Sequence, residues 1–106
     1  MSKKIKVVMY RNKQKQIYRV TGHNHGPSNV CAAVSILLIN THNSIETLTN
    51  SEVTVKDSPD GGFLDFSVTN RLEDDAVLLL EAMNLGLQGI AQEYPKDLQI
   101  EEVYAC

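Results

Sequence analysis

The stretch IYRVTGHNHGPSNVCAAVSILLIN, residues 17–40, sets a strand, a polar loop and a buried helix end to end. IYRVTG alternates and reads as a strand that ends at Gly22. The loop 24–30 follows, and Ser28 is placed to cap a helix running from about 29 to 43. The first ten residues of that helix are apolar almost all round, so it should be buried on more than one face. The polar run Asn40 to Ser44 disfavours helix and leaves its end open.

Working outward, KIKVVMY at 4–10 alternates with Ile5, Val7 and Met9 on one side. RNKQKQ is turn-like, so the strand before the loop belongs to a β-hairpin. Downstream, EVTVKDSPDGGFLDFSVTN at 52–70 is a second hairpin. Val53 and Val55 alternate, SPDGG turns the chain, and Leu64, Phe66 and Val68 alternate again. Thr69 or Asn70 is expected to cap a long second helix. Its first turn would hold Glu73, Asp74 and Asp75, where the positive end of the macrodipole favours carboxylates. Leu72, Ala76, Leu79, Leu80, Met83, Leu87, Ile90 and Tyr94 form its apolar stripe, and Pro95 ends it. DLQIEEVYA supplies a last strand. The order is ββαββαβ, an α+β fold in which two helices pack on a mainly antiparallel sheet, as one domain over 1–106. Gly86 and Gly89 each weaken the second helix by about 1 kcal/mol relative to Ala. They mark either a locally weak helix or a close crossing with another one, within the chain or from a second subunit.

The chain has 106 residues, enough for one modest core. Ten basic residues against thirteen acidic ones give a net charge of −3, which argues against a nucleic-acid module. Lys3, Lys4, Lys6, Arg11, Lys13 and Lys15 cluster in the first fifteen positions. This reads as a solvated hairpin edge, with a contact patch for an RNA-rich particle as the rival reading. No apolar run reaches the roughly 18 residues of a membrane helix, and the first residues lack the apolar core of a signal peptide. The expected setting is cytoplasmic and reducing, so Cys31 and Cys106 are expected as free thiols. Cys106, the last residue, is expected to be frayed and carries no assigned role.

Cys31 falls in the first turn of the predicted helix, where backbone N–H groups and the dipole favour a thiolate nucleophile. Equally, a free cysteine there can be a buried structural residue. His23, at the strand end, is close enough through the loop to meet Cys31, or it is a turn histidine. His25 lies two residues on, facing the same way only if the chain stays extended. With Cys31 the two histidines could ligate a metal, but no fourth ligand is near and no metal or cofactor is expected. His42 reads as a surface histidine late in the helix. Ser35 shares the helical face of Cys31. Small residues at Ala32 and Ala33 suggest close packing there.

The Gly22–His23 pair followed by VCAAVS at Val30–Ser35 resembles the signature of the ribosomal-processing cysteine protease family Prp. The flanking hairpins and long helix agree, so the resemblance covers essentially the whole chain. It implies a homodimeric α+β protein that removes an N-terminal extension from a large-subunit ribosomal protein. On this resemblance Cys31 is the nucleophile and His23, rather than His25, the general base, because the GH pair aligns. The partner implied is that ribosomal protein, with neither direct nucleic-acid binding nor a membrane. Two departures stand out. Many members carry an aspartate where this chain has Ser28, and the loop NHGPSN is short. The chemistry expected is acyl transfer, with backbone N–H groups at the helix start, such as those of Cys31 and Ala32, holding the oxyanion. The alternative is a catalytically weak relative that binds a ribosomal protein or assembly intermediate through the same groove. A thiol redox module would need a Cys-x-x-Cys pair, which is missing.

Overall fold

In the computed structural model, which describes residues 4–105, the expected order appears as β1 (Ile5–Arg11), β2 (Ile17–His23), α1 (Ser28–Leu48), β3 (Val53–Asp57), β4 (Phe63–Val68), α2 (Asp74–Glu93) and β5 (Leu98–Tyr104). Lys3 and Cys106 lie outside the described residues. The strands form one sheet in the order β3-β4-β2-β1-β5. Every neighbouring pair is antiparallel except β1–β5, which is parallel with Ile5 opposite Leu98. That pairing follows from the connection: α2 carries the chain back over the sheet, so β5 enters from the same end as β1.

Alternation sorts the sheet into two faces. Ile5, Val7 and Met9 of β1, Val20 of β2, Phe66 of β4 and Leu98 of β5 are buried in one core with both helices. α1 contributes Val30, Val34, Leu38, Thr41 and Ile45, and α2 contributes Ala76, Leu80, Met83 and Leu87. Both sets recur at the helical period. The opposite sheet face is polar, with Arg19 on β2 paired to Asp65 on β4 and stacked over the Tyr10 ring at 4.6 Å.

Four local expectations are corrected. First, α1 runs past Asn40–Ser44 to Leu48. Thr41 is 5 % exposed, its hydroxyl donates to Leu37 O at 2.7 Å, and Ile45 is fully buried, so packing overrides the weak propensity of NTHNS. Second, α2 begins after Glu73, with Asp74 and Asp75 in its first turn. Asn70 serves the preceding turn instead, accepting from Glu52 N at 2.9 Å. Third, β1 is an interior strand between β2 and β5, not an edge. Its basic residues are partnered rather than simply solvated: Lys6 pairs with Glu101 at 3.3 Å, and Arg11 is 9 % exposed. Fourth, Ala32 is exposed and Ala33 only half-buried, so the close packing expected at the pair is not met at Ala32.

The two glycines of α2 separate in role. A Cβ on Gly86 would lie 2.9 Å from Leu37 Cδ1 of α1, whereas one on Gly89 would meet nothing within 4 Å. Gly86 therefore sets the α1–α2 crossing inside the chain. In Gly86→Ala the propensity gain of about 1 kcal/mol is offset by that collision. In a Leu37→Ala background the collision is gone, so a double-mutant cycle read by urea unfolding is expected to show favourable coupling of about 1 kcal/mol.

Candidate active site

β2 ends at His23 because the next residue, Asn24, takes a left-handed backbone (φ 73°) that turns the chain out of the sheet. Asn24 is tied on both sides: its N–H donates to Gly62 O at 2.8 Å and its side-chain amide to Lys4 O at 3.2 Å. Pro27 (φ −54°, ψ 143°) then sets the direction of α1. Ser28 is the first helical residue rather than the cap, and no side chain caps this helix end. The serine thus does not take over the capping role expected of it.

This one-residue shift matters for the backbone donors. The Cys31 N–H donates to Pro27 O at 2.9 Å, closing the first helical turn. The Cys31 amide is therefore committed, and helical bonding likewise directs that of Ala32 to Ser28 O. The groups left free of intrahelical partners are those of Ser28, Asn29 and Val30. The positive end of α1 is also uncompensated, with no acidic residue in its first turn, whereas α2 carries two there. It remains available to negative charge developing at a thiol or on a bound carbonyl oxygen.

Cys31 is a half-buried free thiol on α1. It lines a cavity of about 410 Å³ together with His23, Ser35, His42 and Asn43. The cavity lies between α1 (Val34, Leu38 and Ile39) and the β3–β4 hairpin (Val55, Leu64 and Phe66). Gly22 lets α1 lie close here, since a Cβ would stand 3.3 Å from Leu38 Cδ1. Along α1 the lining runs from Cys31 to Asn43, about 18 Å at 1.5 Å per residue. An extended peptide of about five residues has that length.

The imidazole of His23 leans on the Phe63 ring at 5.2 Å between centroids, and its Nε2 lies 3.1 Å from Thr21 Oγ1. Among the described residues no hydrogen bond joins His23 to Cys31 directly; the two share the wall of one cavity. His25 is separated from them. It is exposed and lines a different cavity with Ser58, Asp60 and Gly62 at the β3–β4 turn. The carboxyl of Asp60 is held below its ordinary value by hydrogen bonds from Ser58 and Gly62, with a smaller contribution from the charge of His25. The two histidines and Cys31 therefore do not converge as metal ligands.

His42 is not the surface residue expected. Its side chain is 19 % exposed, sits edge-on to Phe66 with centroids 6.1 Å apart, and lines the Cys31 cavity. Its Nδ1 lies 3.1 Å from Asn43 Oδ1; its buried Nε2 is 3.2 Å from Glu46 Oε1 without hydrogen-bond alignment. Helical spacing carried a signal for this: position 42 lies eleven residues beyond Cys31, on the same face.

The family model described as Cysteine protease Prp matches residues 4–99. The ribosomal processing cysteine protease Prp of Bacillus subtilis (strain 168) is 29% identical over 91 residues, covering 78% of this chain and 81% of the relative. The essential ribosomal processing protease Prp from S. aureus, in complex with a covalently linked product peptide, superposes with a TM-score of 0.87 at 26% identity, covering 92% of this chain and 98% of the other. The same S. aureus protease in complex with a substrate peptide gives a TM-score of 0.85 at 25% identity over the same shares of the two chains.

Proposed function

The chain belongs to the cysteine protease Prp family, and on that premise we propose that it removes an N-terminal extension from a large-subunit ribosomal protein by acyl transfer from peptide to thiol. The observation that carries the reading is one groove lined by Cys31 at the start of α1 and by His23 at the end of β2, with His25 turned away. Cys31 is the nucleophile. Its S–H proton passes to His23, the sulfur attacks the scissile carbonyl, and the protonated imidazole returns the proton to the leaving amine. Water then attacks the thioester with His23 as base. The free amides at the start of α1 are the candidates to hold the oxyanion.

The apolar middle of the groove, Val34, Leu38, Leu64 and Phe66, suits apolar side chains of an extended substrate segment. The relatives are described as ribosomal processing proteases, which supports a ribosomal protein as the substrate and the cytoplasm as the place of action. The test incubates the pure protein with the ribosomal protein of its own genome, extension included, and reads the new N-terminus by mass spectrometry. Cleavage at one bond supports the reading. Tight binding without cleavage favours instead a binding relative that uses the same groove.

For the homodimer we propose α2 as the contact. Leu78 is 70% exposed and Leu85 74%, and both lie on one helical face with exposed Ala82 and the open position Gly89. Two such faces bury one another's leucines, and glycine allows close approach of the backbones. Leu85→Glu is expected to convert the dimer to monomer in sedimentation equilibrium. An unchanged mass would remove this face from the interface.

A further inference from the structure

We propose that Thr21 is the positioning residue for His23, fixing the tautomer in which Nδ1 is the nitrogen that serves Cys31. The inference rests on the protease reading above and adds the third member of its machinery.

Thr21 and His23 are two apart on β2 and so project from the same face of the sheet. The Thr21 side chain is all but sealed, at 2 % exposure, and the side-chain hydrogen bond recorded for its Oγ1 is the 3.1 Å contact with His23 Nε2. A buried hydroxyl left unpartnered costs about 1–3 kcal/mol, so the bond holds the ring as well as satisfying the threonine. Asp65 stands opposite Thr21 across the β2–β4 pairing, but among the described residues its side chain bonds to Arg19 and not to His23, with Arg19 Nε on Oδ1 at 3.0 Å and Nη2 on Oδ2 at 2.8 Å. Asp65 supplies field, and Thr21 supplies the contact.

The direction of the bond and the proton's place are linked. A neutral imidazole bears one N–H. If Nε2 carries it and donates to Thr21 Oγ1, the Nδ1 lone pair is free to accept the thiol proton. The S–H bond then breaks, its electron pair stays on sulfur, and an N–H bond forms at Nδ1. The product is a thiolate and an imidazolium whose Nε2–H still donates to Thr21. Were the hydroxyl to donate to Nε2 instead, Nδ1 would bear the proton and could not act as base. The hydroxyl thus does for this histidine what a carboxylate or amide does in other nucleophile–histidine sites.

The test reads both the tautomer and the kinetics. In 15N-histidine-labelled Cys31→Ala protein, where no thiolate charges the ring, long-range 1H–15N correlation should show neutral His23 with its proton on Nε2. In protein with Cys31 intact, Thr21→Val should lower kcat by about ten- to a hundredfold with KM within about twofold, and in the Cys31→Ala background it should mix the tautomers. Thr21→Ser should restore both. A His23 proton on Nδ1 with Thr21 intact overturns the proposal, as does a Thr21→Val enzyme with unchanged kcat and tautomer. If Thr21→Val does not fold, the tautomer with Thr21 intact and the Thr21→Ser kinetics decide. Absence of cleavage by the wild type would sink the protease reading alone, because the tautomer is read without turnover.

Discussion

Cys31→Ala is expected to abolish cleavage, with a loss of about 10⁴-fold or more, since it removes the sulfur that forms the acyl intermediate. The half-buried position of Cys31 makes removal of one sulfur atom tolerable to the fold, so lost activity should come without lost stability. His23→Ala is expected to cost nearly as much, because members of a nucleophile–base unit act together and the second loss adds little to the first. His25→Ala should stay within about threefold of wild type, as His25 lies at the β3–β4 turn and outside the Cys31 cavity. Single-turnover cleavage of an extension-bearing peptide measures all three. An active His23→Ala enzyme beside an inert His25→Ala one would reverse the assignment and require the loop 24–27 to refold on substrate. A Cys31→Ala protein that still cleaves would end the thiol mechanism.

The hairpins and both helical stripes were legible because alternation and 3.6-residue periodicity are local properties, set by which face meets the core. The α+β order and the family both follow from them and from the motif. The far end of α1 was not legible. NTHNS is unfavourable locally, and only packing into the core makes Thr41 and Ile45 buried helix positions. The same limit hid His42. Its place in the groove depends on β4, over twenty residues away, bringing Phe66 against it. The interior place of β1 was hidden too, because the parallel partner β5 comes from the other end of the chain. Within the site, Cys31 and His23 were picked out by the motif and by their local positions. The orienting partner was not, although Thr21 stands two residues before His23 on the same face. Its burial, which turns a common strand residue into an obligate hydrogen-bond partner, comes from the tertiary packing around it.

Arg11→Ala is expected to destabilise the fold by about 2–4 kcal/mol, somewhat below the about 3–5 kcal/mol for removing one partner from a fully buried ion pair. Read as part of a solvated basic cluster, this arginine should have been dispensable. In the structure its side chain is 10% exposed and links three elements. Nη1 donates to Glu81 Oε2 of α2 at 2.8 Å and to Lys15 O at 2.7 Å, and Nε to Glu102 Oε1 of β5 at 2.9 Å. Hydrogen bonding to Glu81 and Glu102 raises the Arg11 pKa against the opposing effect of burial. The arginine in turn holds the Glu81 carboxyl below its ordinary value. Its removal leaves two carboxylates facing one another and one carbonyl without its donor. Glu81 and Glu102 keep 38% and 29% side-chain exposure, so water relieves part of the cost and the lower half of the range is expected. The pH dependence has a definite sign. A carboxyl with a depressed folded pKa adds stability above its unfolded value, about 4.3 for glutamate, and loses it as pH falls through the folded value. The gap between wild type and Arg11→Ala should therefore be full at neutral pH and narrow below about pH 4. Glu81→Gln in the Arg11→Ala background should recover part of the loss, because it removes one of the two facing charges. Urea unfolding of these three proteins at neutral and acid pH measures the differences. A gap under about 0.5 kcal/mol at neutral pH would mean that the network is no more than a surface ion pair, and that β5 and α2 are held to β1 mainly by apolar packing and the parallel ladder.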